Sequence, residues 1–190
     1  CHYANKLRLG DGIEKNINEA VRYYKKACEE GCIEAMFEYA EMLEKGDGIP
    51  KNSNEAYSWY NRVIEKEKSP ILRYDNQSNH IIGKALYNVG CMHLRDEIKS
   101  SSSYQFLDYF YRAIVYNNCD AMLELAKSVY YGKKYLTIYP IKGVCLLKMA
   151  ISRGFLNSML EYGEWLYDGY KIEIDKIEGL RYIKMAADAG

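Results

Sequence analysis

Small and large apolar residues sit three and four positions apart through most of this chain, the spacing of helices that bury one face. The pattern itself returns at a period of 36 residues. Gly10 to Tyr24, GDGIEKNINEAVRYY, comes back as Gly46 to Tyr60, GDGIPKNSNEAYSWY, with ten of fifteen positions identical. A period of that length is one helix-turn-helix unit, which buries its apolar face by stacking on the next. Taking the small residue Ala35 as origin, the equivalent positions are Ala85, Ala121 and Ser158, at separations of 50, 36 and 37. Four residues beyond each origin come Tyr39, Val89, Leu125 and Tyr162, preceded in the first unit by Tyr3. Each is followed by a small residue: Ala4, Ala40, Gly90, Ala126 or Gly163. A large residue beside a small one is what two helices need to approach closely. In the second helices Ala20, Ala56 and Gly179 sit opposite Tyr24, Tyr60, Phe110, Leu147 and Ile183.

The second unit sets the boundaries. It predicts a first helix from about Glu34 to Lys45, a turn at Gly46-Asp47-Gly48 and a second helix from about Ser53 to Glu65. The glycines let the chain leave the first helix through positive φ, with Ile49 plugging the turn. Asn52 followed three residues on by Glu55 is a capping box, repeated by Asn16 with Glu19 and by Asp175 with Glu178. Five units follow, at about 1–31, 32–67, 84–117, 118–154 and 155–190, with ends marked by Gly31, Asn117, Gly154 and Gly190. The excess of 14 residues falls within Lys66 to Gly83, KEKSPILRYDNQSNHIIG, whose Pro, Asn and Ser content predicts a loop between units two and three. Unit three lacks the glycine turn, and unit four enters its second helix through Pro140, which a first helical turn tolerates. The expected fold class is all-α: an α/α solenoid of about five stacked repeats forming a single array.

Charge narrows the partners. The 26 basic and 26 acidic residues cancel, leaving no field of one sign to draw in nucleic acid or an anionic membrane. No apolar run reaches the roughly 18 to 20 residues of a membrane span. No nucleic-acid partner and no direct membrane insertion are therefore expected, and the repeat array, with no catalytic motif beside it, makes a protein or peptide the expected partner. The chain opens at Cys1, inside a repeat, and reads as a piece whose targeting signals lie elsewhere. Its 20 tyrosines and three prolines suit stacked helices. The six cysteines, at 1, 28, 32, 91, 119 and 145, are out of phase with the repeat. That favours reduced, mostly buried thiols, and with them a cytoplasmic location over the endoplasmic-reticulum lumen. The sequon Asn76-Gln77-Ser78, accessible in the expected loop, keeps the lumenal location open.

Ala, Tyr-Ala, Leu, Gly-x-Gly-Ile, Asn, Glu-Ala, Tyr-Tyr and Ala-x-x-Gly, in that order at a 36-residue period, resemble the Sel-one-like repeat (SLR) family, relatives of tetratricopeptide repeats. The resemblance covers residues 3 to 190 outside the insertion and is most specific in units one, two and five. It implies α/α hairpins stacked into a right-handed superhelix and an adaptor role. Members include subunits of endoplasmic-reticulum degradation ubiquitin-ligase complexes, chitin-synthase activators and bacterial host-interaction proteins. A cysteine-rich bacterial branch carries a disulfide in each repeat, a pattern these cysteines do not follow.

No HExxH, GxSxG, GxxxxGK or SxxK motif is present, so no nucleophile, base and donor set converges in sequence. The expectation is a non-catalytic scaffold without cofactor or metal; a metal-dependent enzyme with a dispersed site is the reading from a different class. Cys91 and His93, with Cys119 in the next unit, are the nearest approach to a ligand set. His93 nonetheless replaces Leu43, Val129 and Leu166 at a core position. Cys28 and Cys32 approach one another around a helix end and read as small apolar residues at a seam. In tetratricopeptide-like arrays the first helices line the concave side. By resemblance the binding face is then Glu38, Glu41, Met42 and Lys45; Asn88, Met92 and Arg95; Glu124, Lys127 and Tyr131; and Glu161, Trp165 and Asp168. Met42, Met92, Tyr131 and Trp165 are its expected apolar anchors, with the charges setting register. The insertion is a second expected contact. The competing reading of the same residues is a solvated charged face whose large apolar members pack on the next unit.

Overall fold

A computed structural model describes residues 1–68, 75–99, 102, 104–169 and 171–189, with the side chain of residue 135 left out. Among the described residues there are ten α-helices and no strand. The chain divides into two compact units, Cys1–Tyr116 and Asn117–Gly190. The first holds three α/α hairpins: α1 (His2–Leu9) with α2 (Ile17–Glu29), α3 (Ile33–Lys45) with α4 (Ser53–Glu65), and α5 (Asn76–Leu94) with α6 (Gln105–Val115). The second holds two: α7 (Cys119–Tyr131) with α8 (Pro140–Ile151), and α9 (Leu156–Asp168) with α10 (Lys176–Ala189). Within each unit consecutive helices pack against one another. The fold is an all-α repeat solenoid. No helix among the described residues is long and apolar enough to cross a membrane.

Local chemistry sets the ends. Asn16, Asn52 and Asp175 each accept the backbone N–H three residues on, from Glu19 and Glu55 at 3.1 Å and from Glu178 at 2.9 Å. The first helices of the units close on a left-handed glycine at Gly10, Gly46, Gly132 and Gly169, where a side chain would be strained. At the second glycine of the turn, Gly12 and Gly48 have φ of 72°, and Lys134 and Lys171 adopt φ of 48° and 64° at the equivalent places. In unit three the left-handed residue is Asp96, φ 57°. Gly31, Asn117 and Gly154 are left-handed as expected; the end at Gly190 lies outside the described residues.

The stretch expected to be a loop needs correction. Residues 76–83 are the first two turns of α5, which begins at Asn76. Asp75 starts the helix by accepting from the N–H groups of Gln77 and Ser78, at 3.2 and 3.1 Å. An aspartate cap outweighs the local Asn and Ser content, and Ile82 and Gly83 are buried behind it. The segment 69–74 lies outside the described residues.

The large-small pattern becomes contact. Tyr24, Tyr60, Phe110 and Leu147 are fully buried, as are Ala20 and Ala56; Ile183 is half-buried and Tyr3 half-exposed, each on a terminal hairpin. A Cβ at Gly90 would stand 2.6 Å from the ring of Phe110, and one at Gly163 would stand 2.8 Å from the carbonyl oxygen of Gly179. These two crossings, α5 on α6 and α9 on α10, are therefore closer than an alanine permits.

Candidate protein-interaction face

The first helices of each unit carry a ladder of polar contacts. In the first compact unit Arg8 of α1 pairs with Glu38 of α3 and with Asp47, both at 3.1 Å. Lys45 pairs with Glu41 at 2.9 Å along α3. Arg95, past the end of α5, reaches Glu44 of α3 at 3.6 Å and Glu97 at 3.4 Å. Beneath them the Tyr60 hydroxyl donates to Glu44 at 2.8 Å and accepts from Asn88 at 2.9 Å. Burial pushes the Glu38 carboxyl above the ordinary glutamate value against the pull of Arg8.

In the second compact unit Lys127 of α7 pairs with Glu161 of α9 at 3.0 Å, and Lys133 with Glu124 at 2.8 Å. Burial works against the Lys127 ammonium, but Glu161 more than offsets it and the pKa is raised. Trp165 donates its indole N–H to Glu161 at 2.9 Å and to the Tyr131 hydroxyl at 3.1 Å. Its ring stacks on Tyr130 with centroids 3.6 Å apart. The space Trp165 occupies depends on Gly143, whose Cβ would lie 3.2 Å from the indole. The ladder can hold neighbouring repeats in register, and it presents alternating charge on the first-helix side.

Against this geometry, the Sel1 repeat matches the chain at residues 7–32, 33–66, 83–100 and 156–190, more than half its length. The chain belongs to the Sel1 repeat family.

Solved structures agree in fold. A Sel1 repeat protein from Oxalobacter formigenes superposes with a TM-score of 0.80 at 24% identity, covering 100% of this chain and 69% of that one. The Escherichia coli protein c5321, a protective antigen of uropathogenic strains displaying an SLR fold, does so with a TM-score of 0.76 at 21% identity. It covers 98% of this chain and 37% of that one. The immunity protein Pa5087 from Pseudomonas aeruginosa follows at 0.58 and 21%, covering 88% of this chain and 56% of that one. At these identities the likeness carries the fold alone. No curated protein sequence matches the chain. Sel1 repeat proteins are generally non-catalytic, protein-interaction scaffolds.

The Sel1 array places most of the expected face on the ladder, with one correction. Met42, Met92 and Trp165 are 1%, 0% and 3% exposed, so three of the four expected anchors are interior. All three lie seven residues beyond the small residue that starts the first-helix pattern, at Ala35, Ala85 and Ser158. Seven residues are two turns less about 20°, which returns to the buried stripe. Position +7 belongs with 0 and +4, as the buried Ser128 of α7 also shows. Tyr131, at +10, remains 46% exposed. Glu44, at +9 beside the expected Lys45, and Arg8, one of two cations in the last turn of α1, join the face without being among the expected residues.

The other candidates of the Sel1 chain sort by burial. His93 is 2% exposed, stacked on Tyr109 with centroids 5.3 Å apart and edge-on to Tyr57 at 5.6 Å, which places it in the core as expected. Cys91 is buried beside it in sequence, and Cys119 belongs to the other compact unit. None of the six cysteines is joined in a disulfide. Burial, then the neighbouring Cys32, pushes the Cys28 thiol up to about 12. Asn76 of the sequon opens α5 rather than a loop, and Ser78 is buried with its hydroxyl donating to Asp75.

Proposed function

We propose that this Sel1 chain is a non-catalytic adaptor that holds a protein or peptide against the side lined by its first helices. The polar ladder is the observation that supports the reading. Its exposed members are Lys45, Asp47 and Arg95 in the first compact unit and Tyr131 in the second; both charges and an aromatic ring are suited to holding an extended or helical segment. Exposed ion pairs contribute only about 0 to 1 kcal/mol each, so exchanging one for a pair with a partner costs little. Tyr131 is the aromatic anchor of this face.

The test is crosslinked affinity capture from the native source, with identification of bound proteins by mass spectrometry. The double variant Lys45→Glu, Arg95→Glu and the single variant Tyr131→Ala should each lower recovery of the principal partner several-fold. Arg22→Glu and Lys184→Glu, on second helices, should leave it unchanged. Equal recovery by all variants would remove the first-helix side from consideration.

A further inference from the structure

We propose that Cys1, Cys32 and Glu34 form a binding site for a thiophilic divalent cation of the zinc class. Their ligand atoms, two thiol sulfurs and a carboxylate oxygen, all lie within 4.8 Å of one another, the one such group of three or more among the described residues. In a tetrahedral zinc site metal–ligand distances of about 2.0 to 2.3 Å place neighbouring ligands about 3.3 to 3.8 Å apart. The widest separation thus exceeds that of a closed site by about 1 Å. Thiolate donors select soft ions over magnesium or calcium.

The three ligands come from defined places. Cys1 and Cys32 occupy the positions just before α1 and α3, and Glu34 lies in the first turn of α3, where the free N–H groups favour a carboxylate. Cys32 and Glu34 are thus one preformed half of the site, and the stacking of the first two hairpins brings Cys1 to it. All three are partly exposed, which leaves an entry path from solvent. The amide of Gln77, in the first turn of α5, donates to the Glu34 carboxylate, the outer-shell support that orients metal-binding carboxylates.

Binding replaces the two thiol protons, which pass to solvent, so affinity rises with pH. The bound ion joins α1 to α3 and, through Gln77, to α5, and it stabilises the folded chain by mass action.

The deciding experiment is titration of the reduced 190-residue chain with Cd2+, followed by the ultraviolet thiolate-to-cadmium charge-transfer band. One equivalent should saturate the band, and Cys32→Ala should abolish it. Glu34→Gln should weaken binding about tenfold or more, while Cys119→Ala and Cys145→Ala should bind as the parent chain does. Circular dichroism reports folding of each variant, and Cys1→Ala supplies a second ligand deletion away from the buried core. Absence of a saturable band would overturn the proposal, as would a band that survives both Cys32→Ala and Cys1→Ala. Closure of Cys1 and Cys32 into a disulfide despite equimolar Zn2+, once reductant is removed, would also overturn it.

Discussion

Tyr60 is fully buried, and its hydroxyl ties α3, α4 and α5 together through Glu44 and Asn88. Burial raises its ionisation well above the ordinary tyrosine value, and the Glu44 carboxylate adds to the effect. Tyr39 and Tyr109 are each pushed up to about 12, first by burial and then by Glu55 and Tyr57 respectively. The sign follows from proton binding. Above the unfolded value of about 10, the unfolded chain releases phenolic protons that the folded chain retains. Stability is therefore whole below about pH 10 and falls as pH climbs toward about 12. The melting temperature should decline over that window, with tyrosinate absorbance lagging behind that of denatured protein. Tyr60→Phe should cost about 1 to 3 kcal/mol in urea unfolding at neutral pH, because Glu44 and Asn88 lose a shared partner. The aromatic pattern of the repeat foretold that Tyr60 is buried; its two hydroxyl partners lie 16 and 28 residues away and carried no local signal.

At the scale of elements, caps and glycine turns were legible because their chemistry closes within about four residues. α4 runs from Ser53 to Glu65 as expected, and Pro140 opens α8. Gly46 shows what such a turn requires: with φ at 74°, Gly46→Ala should destabilise by about 1 to 2 kcal/mol. Gly163 marks a different constraint, because its neighbour is backbone. Gly163→Ala should cost about 1 to 3 kcal/mol, measured as a lowered denaturant midpoint, since neither Gly163 nor Gly179 has a side chain that could yield. A result near zero would mean that α9 and α10 separate freely. The Pro, Asn and Ser content around the added turns of α5 predicts a loop, whereas Asp75 with Ser78 three residues later is a local start signal for the helix; one satisfied cap outweighs composition averaged over the stretch.

For the whole molecule, stability in a repeat array is close to a sum of units and nearest-neighbour contacts, so it is uneven along the chain. α10 buries only Gly179 and leaves Ile177 85% and Leu180 55% exposed, whereas α3 buries seven residues between Ala35 and Leu43. Native-state hydrogen exchange should therefore find the amides of α10 least protected and those of α3 and α4 most protected. Uniform protection across the helices would contradict this picture. By itself the sequence determined the helical class, the 36-residue period and the family, because each rests on contacts that repeat at fixed separation. The tertiary structure alone decided which first-helix residues remain accessible. It paired Arg8 with Glu38 and Lys127 with Glu161, turned Met42, Met92 and Trp165 inward, and brought Cys1 to Cys32 and Glu34. Those outcomes depend on how one hairpin seats on the next, which sets distances between residues some thirty positions apart that periodicity along a single helix does not encode.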